Sequence, residues 1–101
     1  MTVDDVAELA ATLDGVRRTV IDGLTEWRYR GRVVARQLDD RHVVIRCAFD
    51  LRDQLLAAFP GTFSVPARFR KHMMVVADLS AGDPGAIEDA LEAAWLLQRR
   101  R

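Results

Sequence analysis

Cysteine occurs once in the 101 residues, at Cys47, so no intrachain disulfide is available and the usage fits a reducing compartment. Histidine occurs twice, at His42 and His72, and no CxxC or HxxxH spacing exists, which leaves a structural zinc site without a ligand set. The 6 glycines are scattered and form neither a GxGxxG pattern nor a P-loop, so phosphate cradling by a nucleotide fold has no support. No apolar run approaches the roughly 18 residues that would span a bilayer. The opening Met-Thr-Val-Asp4-Asp5 is acidic where a secretory or transit peptide needs positive charge. An excess of one charge is missing too: 15 basic and 15 acidic residues give a formal net charge of zero, which excludes a uniformly basic surface. The expectation is one cytoplasmic domain over residues 1–101, with no membrane partner, no metal and no cofactor.

What is present suits a folded chain. Half the residues are hydrophobic and 30% are charged, the balance of a globular domain able to bury one core. The zero charge is segmental: residues 17–71 hold 12 of the 15 basic side chains and 6 of the 15 acidic ones, and a run of three arginines occupies 99–101. Lysine is nearly absent, Lys71 being the only one, so the basic character is arginine. That would suit bidentate phosphate recognition, but the codon usage of a GC-rich genome is the favoured account.

Periodicity divides the chain into helix, strands, helix, strand, helix. Val6, Leu9, Ala10 and Leu13 share one helical face over residues 3–14, with Thr2 and Asp5 placed as a capping box and Gly15 as the stop. Residues 17–22, 26–30, 32–38 and 41–47 read as strands of a β-meander whose tight Arg30-Gly31-Arg32 and Asp39-Asp40 connections require antiparallel neighbours. In the fourth, Val43, Ile45 and Cys47 alternate with His42, Val44 and Arg46, giving one apolar and one mixed face. A helix over 51–59, capped by Asp50 and Asp53, ends at Pro60-Gly61; residues 62–71 read as irregular, with Pro66 against a central strand. Residues 72–79 form a buried fifth strand, and Asp83-Pro84 opens a final helix to about Gln98 with Ile87, Leu91, Ala94 and Trp95 inward. The predicted class is α+β: an antiparallel sheet of about five strands with helices packed on one face.

The segments Trp27-Arg-Tyr-Arg-Gly-Arg-Val-Val-Ala35, Leu51-Arg-Asp-Gln-Leu-Leu-Ala-Ala-Phe-Pro-Gly-Thr-Phe63 and Leu91-Glu-Ala-Ala-Trp95 together resemble the MmcQ/YjbR family of small bacterial proteins. The resemblance covers nearly the whole chain. It implies a frataxin-like α+β fold and a DNA-binding label given on structural grounds, and it implies no enzymatic activity or cofactor. The sequence departs from the family pattern at Phe69-Arg70-Lys71-His72, which is bulkier and more basic, and at Arg99-Arg100-Arg101.

Two basic clusters are the candidate site. Arg28, Arg30, Arg32 and Arg36 would share one face if the strand ran straight through Gly31, opposite Trp27, Tyr29, Val33 and Ala35. A turn at Arg30-Gly31 would instead split the ladder, and a merely solvated face would pair these arginines with Glu26, Asp39 or Asp40. The second cluster, Arg68, Phe69, Arg70 and Lys71, either offers a ring for base stacking between cations or uses Phe69 to anchor the loop.

Catalysis has little to stand on. Cys47 with His42 or His72 would form a thiol-imidazole pair, but its place in an alternating strand marks a buried small hydrophobe. Asp4-Asp5, Asp39-Asp40 and Glu88-Asp89 are accounted for by a helix start, a turn and a helix face. Met73 and Met74 read as core filler, and a buried Trp95 would need a partner for its indole N–H. The expected activity is non-enzymatic binding of DNA or RNA through the arginine clusters. The alternative is a module that binds another protein or itself and no nucleic acid.

Overall fold

A computed structural model describes residues 1–100; Arg101, the last of the terminal arginine run, lies outside them. In chain order the elements are α1 (Val3–Ala11), β1 (Val16–Ile21), β2 (Leu24–Tyr29), β3 (Arg32–Gln37), β4 (His42–Arg46), α2 (Phe49–Ala58), β5 (Phe63–Ser64), β6 (Met74–Asp78) and α3 (Pro84–Arg99), with a single 3-10 turn at Ala67–Phe69. The α+β class stands. The sheet has six strands because Phe63 and Ser64, in the segment read as irregular, pair with Ala77 and Val76 before Pro66 ends the pairing.

All pairings are antiparallel, in the spatial order β1-β2-β3-β4-β6-β5. Two-residue turns join the first three strands, with Asp22 and Gly23 at φ 53° and 78° and Arg30 and Gly31 at φ 50° and 79°. Positive φ at both positions twists a hairpin to match its strands, and glycine adopts it without a Cβ penalty. Arginine at the first position is unusual, since Asn, Asp or Gly normally take it.

Local chemistry explains the helix ends. The Asp5 amide donates to Thr2 Oγ1 at 3.2 Å and the Thr2 amide donates to Asp5 Oδ2 at 2.8 Å, the reciprocal capping box. These bonds hold the Asp5 carboxyl below its usual range. The Ala86 amide donates to Asp83 Oδ1 at 3.1 Å behind Pro84. The expected Asp50–Asp53 cap does not form: α2 starts earlier, Ala48 is the N-cap without a side-chain bond, and Asp50 instead accepts the Leu51 amide.

The three helices cover one face of the sheet. Val6 and Ala10 of α1, Leu55 of α2, and Ile87, Leu91 and Ala94 of α3 pack with Trp27, Ala35, Val43, Ile45, Val75 and Ala77 in a single core. Trp95 is half-buried at its margin, and its indole N–H donates to the Asp14 carbonyl at 2.8 Å, tying α3 to the turn before β1. Among the described residues the opposite face carries no helix. Only the β5–β6 connection folds over it, setting Phe69 against Val44 and Val76 in a small second cluster.

Candidate nucleic-acid interface

Antiparallel partners point to the same side of a sheet, so the register determines which side chains share the helix-free face. Thr19, Glu26, Arg36, Val44, Val76 and Ser64 form an unbroken row across all six strands. Beside it run Arg17 opposite Arg28, Arg28 opposite Val33, and Arg46 opposite Met74. One arginine thus rises from each of β1, β2, β3 and β4. A cavity of about 260 Å³ opens among Arg28, Arg36 and Arg46, with Val33, Val44 and Met74 as its apolar floor and Glu26 in its wall.

Two further clefts extend this surface. One of about 580 Å³ lies between the turn at Asp14 and Gly15 and the β2–β3 hairpin, where Arg17, Arg28 and Arg30 line it. The other, about 460 Å³, is bounded by Arg32, Val33, Arg46 and Gln98. Arg28, Val33 and Arg46 are each shared between neighbouring clefts, so the basic surface is continuous from the hairpin tip to the centre of the sheet.

The arginine ladder splits. Arg28 and Arg36 stay on the helix-free face, whereas the turn and a bulge after Trp27 redirect the other two. The Arg30 guanidinium lies 5.4 Å from the Tyr29 ring centroid, and Arg32 Nη1 donates to the Gln98 carbonyl at 3.0 Å, at the C-terminal end of α3. Arg28 Nε pairs with Glu26, and its Nη1 donates to the Gly31 carbonyl at 2.6 Å. Among the described residues no arginine of this series pairs with Asp39 or Asp40: Asp39 instead accepts from the Arg41 amide at 2.9 Å and bonds His42 Nδ1 at 2.9 Å, which hold its carboxyl low. Arg36 and Arg46 have no carboxylate partner among the described residues.

The two clusters meet at Phe69. Phe69 is 8% exposed, and the Arg36 and Arg68 guanidinium groups lie 5.9 Å and 4.8 Å from its ring centroid. Phe69 therefore anchors the loop, and its ring is not presented for base stacking. Arg70 and Lys71 are exposed on the same connection. The clusters considered separately omitted Arg17 and Arg46. Strand parity already places Arg46 on the mixed face with Val44, but its approach to Arg28 and Arg36 depends on the β2–β3 and β3–β4 registers.

The reactive groups elsewhere are engaged or enclosed. Asp78 accepts from Arg41 Nη2 at 2.6 Å and Nε at 3.2 Å and from the Ser80 and Ala81 amides, and the guanidinium holds its carboxyl well below the usual range. Cys47 is buried, and desolvation pushes its thiol up to about 11. Among the described residues no group of three or more His, Cys, Asp or Glu side chains is placed to hold a metal ion, and no helix is long and apolar enough to cross a membrane.

No family model and no curated protein matches the sequence. A solved structure does match in fold: the crystal structure of Deinococcus radiodurans protein DR2400, which carries the domain DUF419, superposes with a TM-score of 0.83 at 18% identity. The match covers 99% of this chain and 80% of that one. The chain thus has the fold of a DUF419 domain protein, six antiparallel strands with three helices on one face.

Proposed function

We propose that this is a non-enzymatic nucleic-acid-binding protein of the MmcQ/YjbR type that holds phosphates on the helix-free face of its sheet. The observation that carries the reading is the convergence of Arg17, Arg28, Arg36 and Arg46 on that face, with Arg68 reaching the same Phe69 ring as Arg36. Guanidinium forks suit phosphate oxygens, and contact through them is electrostatic and largely indifferent to sequence. Arg30 lines the cleft at the hairpin tip, Arg70 and Lys71 are exposed on the connection that folds over this face, and Arg32 is turned to α3. The DUF419 neighbour's fold supports the MmcQ/YjbR type, and the DNA-binding label comes from the family resemblance. A bacterial cytoplasmic location accompanies it, consistent with a single buried cysteine.

Fluorescence anisotropy with a short duplex and a single strand at two salt concentrations tests the reading. Neutralising about four phosphates gives a log-log slope of about −3 to −4 on duplex DNA. A flat salt response, or no binding at low salt, overturns it in favour of a protein-interaction module, the reading that the apolar Val20, Ile21 and Leu24 at the sheet edge support.

A further inference from the structure

The two edges of the sheet are built differently. β5 is two residues long and followed closely by Pro66, so that edge offers little backbone for pairing. β1 is six residues long, pairs with β2 without a register shift, and contains no proline. Its residues from Arg17 to Ile21 are all exposed, and Val20 and Ile21 show 63% and 54% of their surface to solvent. Leu24, directly opposite Ile21, is exposed as well. Adjacent β-branched apolar residues on an open edge are what a pairing strand uses and what a protected edge avoids.

The Asp22–Gly23 turn determines which backbone groups are free. In a two-residue hairpin the residues flanking the turn, here Ile21 and Leu24, exchange hydrogen bonds, and bonded and non-bonded pairs alternate from there. The amides and carbonyls of Arg17, Thr19 and Ile21 are therefore spent on β2, and those of Arg18 and Val20 point outward. A second copy pairing antiparallel through a two-fold axis must match this outward set with itself, centred on residue 18, 19 or 20. Centring on 18 sets Arg18 against Arg18, and centring on 20 slides the Arg17 end of the strand out of the pair. Centring on Thr19 places Arg18 opposite Val20 and Arg17 opposite Ile21, with Thr19 facing Thr19. Arginine stems then lie on the apolar side chains, threonine meets threonine, and no like charges stand directly opposed.

We propose that β1 is a homodimerisation edge, joining two copies of the chain into one continuous antiparallel sheet in the register centred on Thr19. The helix-free faces then lie on one side, with Arg17 of each copy next to the seam. The inference goes beyond the nucleic-acid reading and does not depend on what that face binds. An edge of six residues forms a small interface, so the dimer is concentration-dependent.

Sedimentation of the full chain over a concentration series, with cysteine cross-linking under mild oxidation, tests it. In this register the Thr19 pair is non-hydrogen-bonded with Cα atoms about 4.5 Å apart, within disulfide range. Cys47 is buried and does not compete. Thr19→Cys is expected to give a covalent dimer about tenfold faster than Val20→Cys or the opposite-edge control Ser64→Cys. Val20→Lys, which sets a cation against Arg18, is expected to abolish the dimer while leaving the circular dichroism spectrum unchanged. A wild-type chain that stays monomeric at millimolar concentration overturns the proposal. So do Val20→Cys or Ser64→Cys cross-linking as fast as Thr19→Cys, and masses that grow past two chains.

Discussion

The two faces of the sheet are made by the same strands and do opposite work. On β4, Val43 and Ile45 disappear beneath the helices, while Val44 and Arg46 look the other way. Val44 and Val76 are covered only where Phe69 folds back, and the surface around them belongs to arginines. One face is dominated by apolar burial. On the other, a patch of apolar cover leaves room for cations whose heads stay solvated, which costs the fold little because no charged residue is buried among the described residues. Under the proposed function, stability and binding are separated by strand parity, and substitutions on the two faces should have different readouts.

The largest expected contrast is between Trp27→Ala and Arg46→Ala. Trp27 is 2% exposed in the core, and its removal should cost about 3–5 kcal/mol in urea unfolding. Arg46→Ala should stay within about 0.5 kcal/mol of the parent while lowering nucleic-acid affinity. Equal stability losses would erase the distinction between the faces.

Gly15→Ala probes how the covered side is joined to the hairpin. Gly15 has φ 78°, and a Cβ there would sit 2.7 Å from Tyr29 Cε2, inside any real contact distance. Strain and displacement of Tyr29 should together cost about 1–3 kcal/mol, measured by thermal or urea unfolding.

Asp78 offers a pH test at the end of β6. Its carboxyl lies below the usual range in the folded chain because of Arg41, so its pairing contributes fully above the unfolded value of about 3.9 and is lost as the pH falls towards the folded value. Asp78→Asn should therefore be less stable than the parent at neutral pH. That gap should narrow on acidification, as followed by circular dichroism.

The smallest effect is a null one: with its thiol pushed up to about 11 by burial, Cys47 should resist alkylation at pH 7 in the native chain and react on unfolding. Rapid native alkylation would show that the covered face opens near β4.

Much of this architecture is legible in the sequence. Thr2 with Asp5, Asp83 with Pro84, and the alternation of Val43 and Ile45 against Val44 and Arg46 are local patterns, and each appears in the folded chain. The strand at Phe63–Ser64 leaves no mark in the sequence because two residues carry no periodicity, and its existence depends on Val76 and Ala77 lying beside it. The start of α2 is obscured in the sequence, since Asp50 resembles a cap but lies inside the first turn.

The candidate site divides along the same line. Sequence by itself determined that arginines crowd residues 28–36 and 68–70 and that Arg46 sits on the strand face away from the core, because side-chain parity along a strand is a local property. Only the tertiary structure decided which of them meet. The Arg30–Gly31 turn and the bulge after Trp27 removed Arg30 and Arg32 from the ladder, while strand pairing added Arg17 and Arg46 and folded Phe69 under Arg36. The physical reason is that a face is assembled from register between strands, and register is set by turns and long-range packing that no single segment contains.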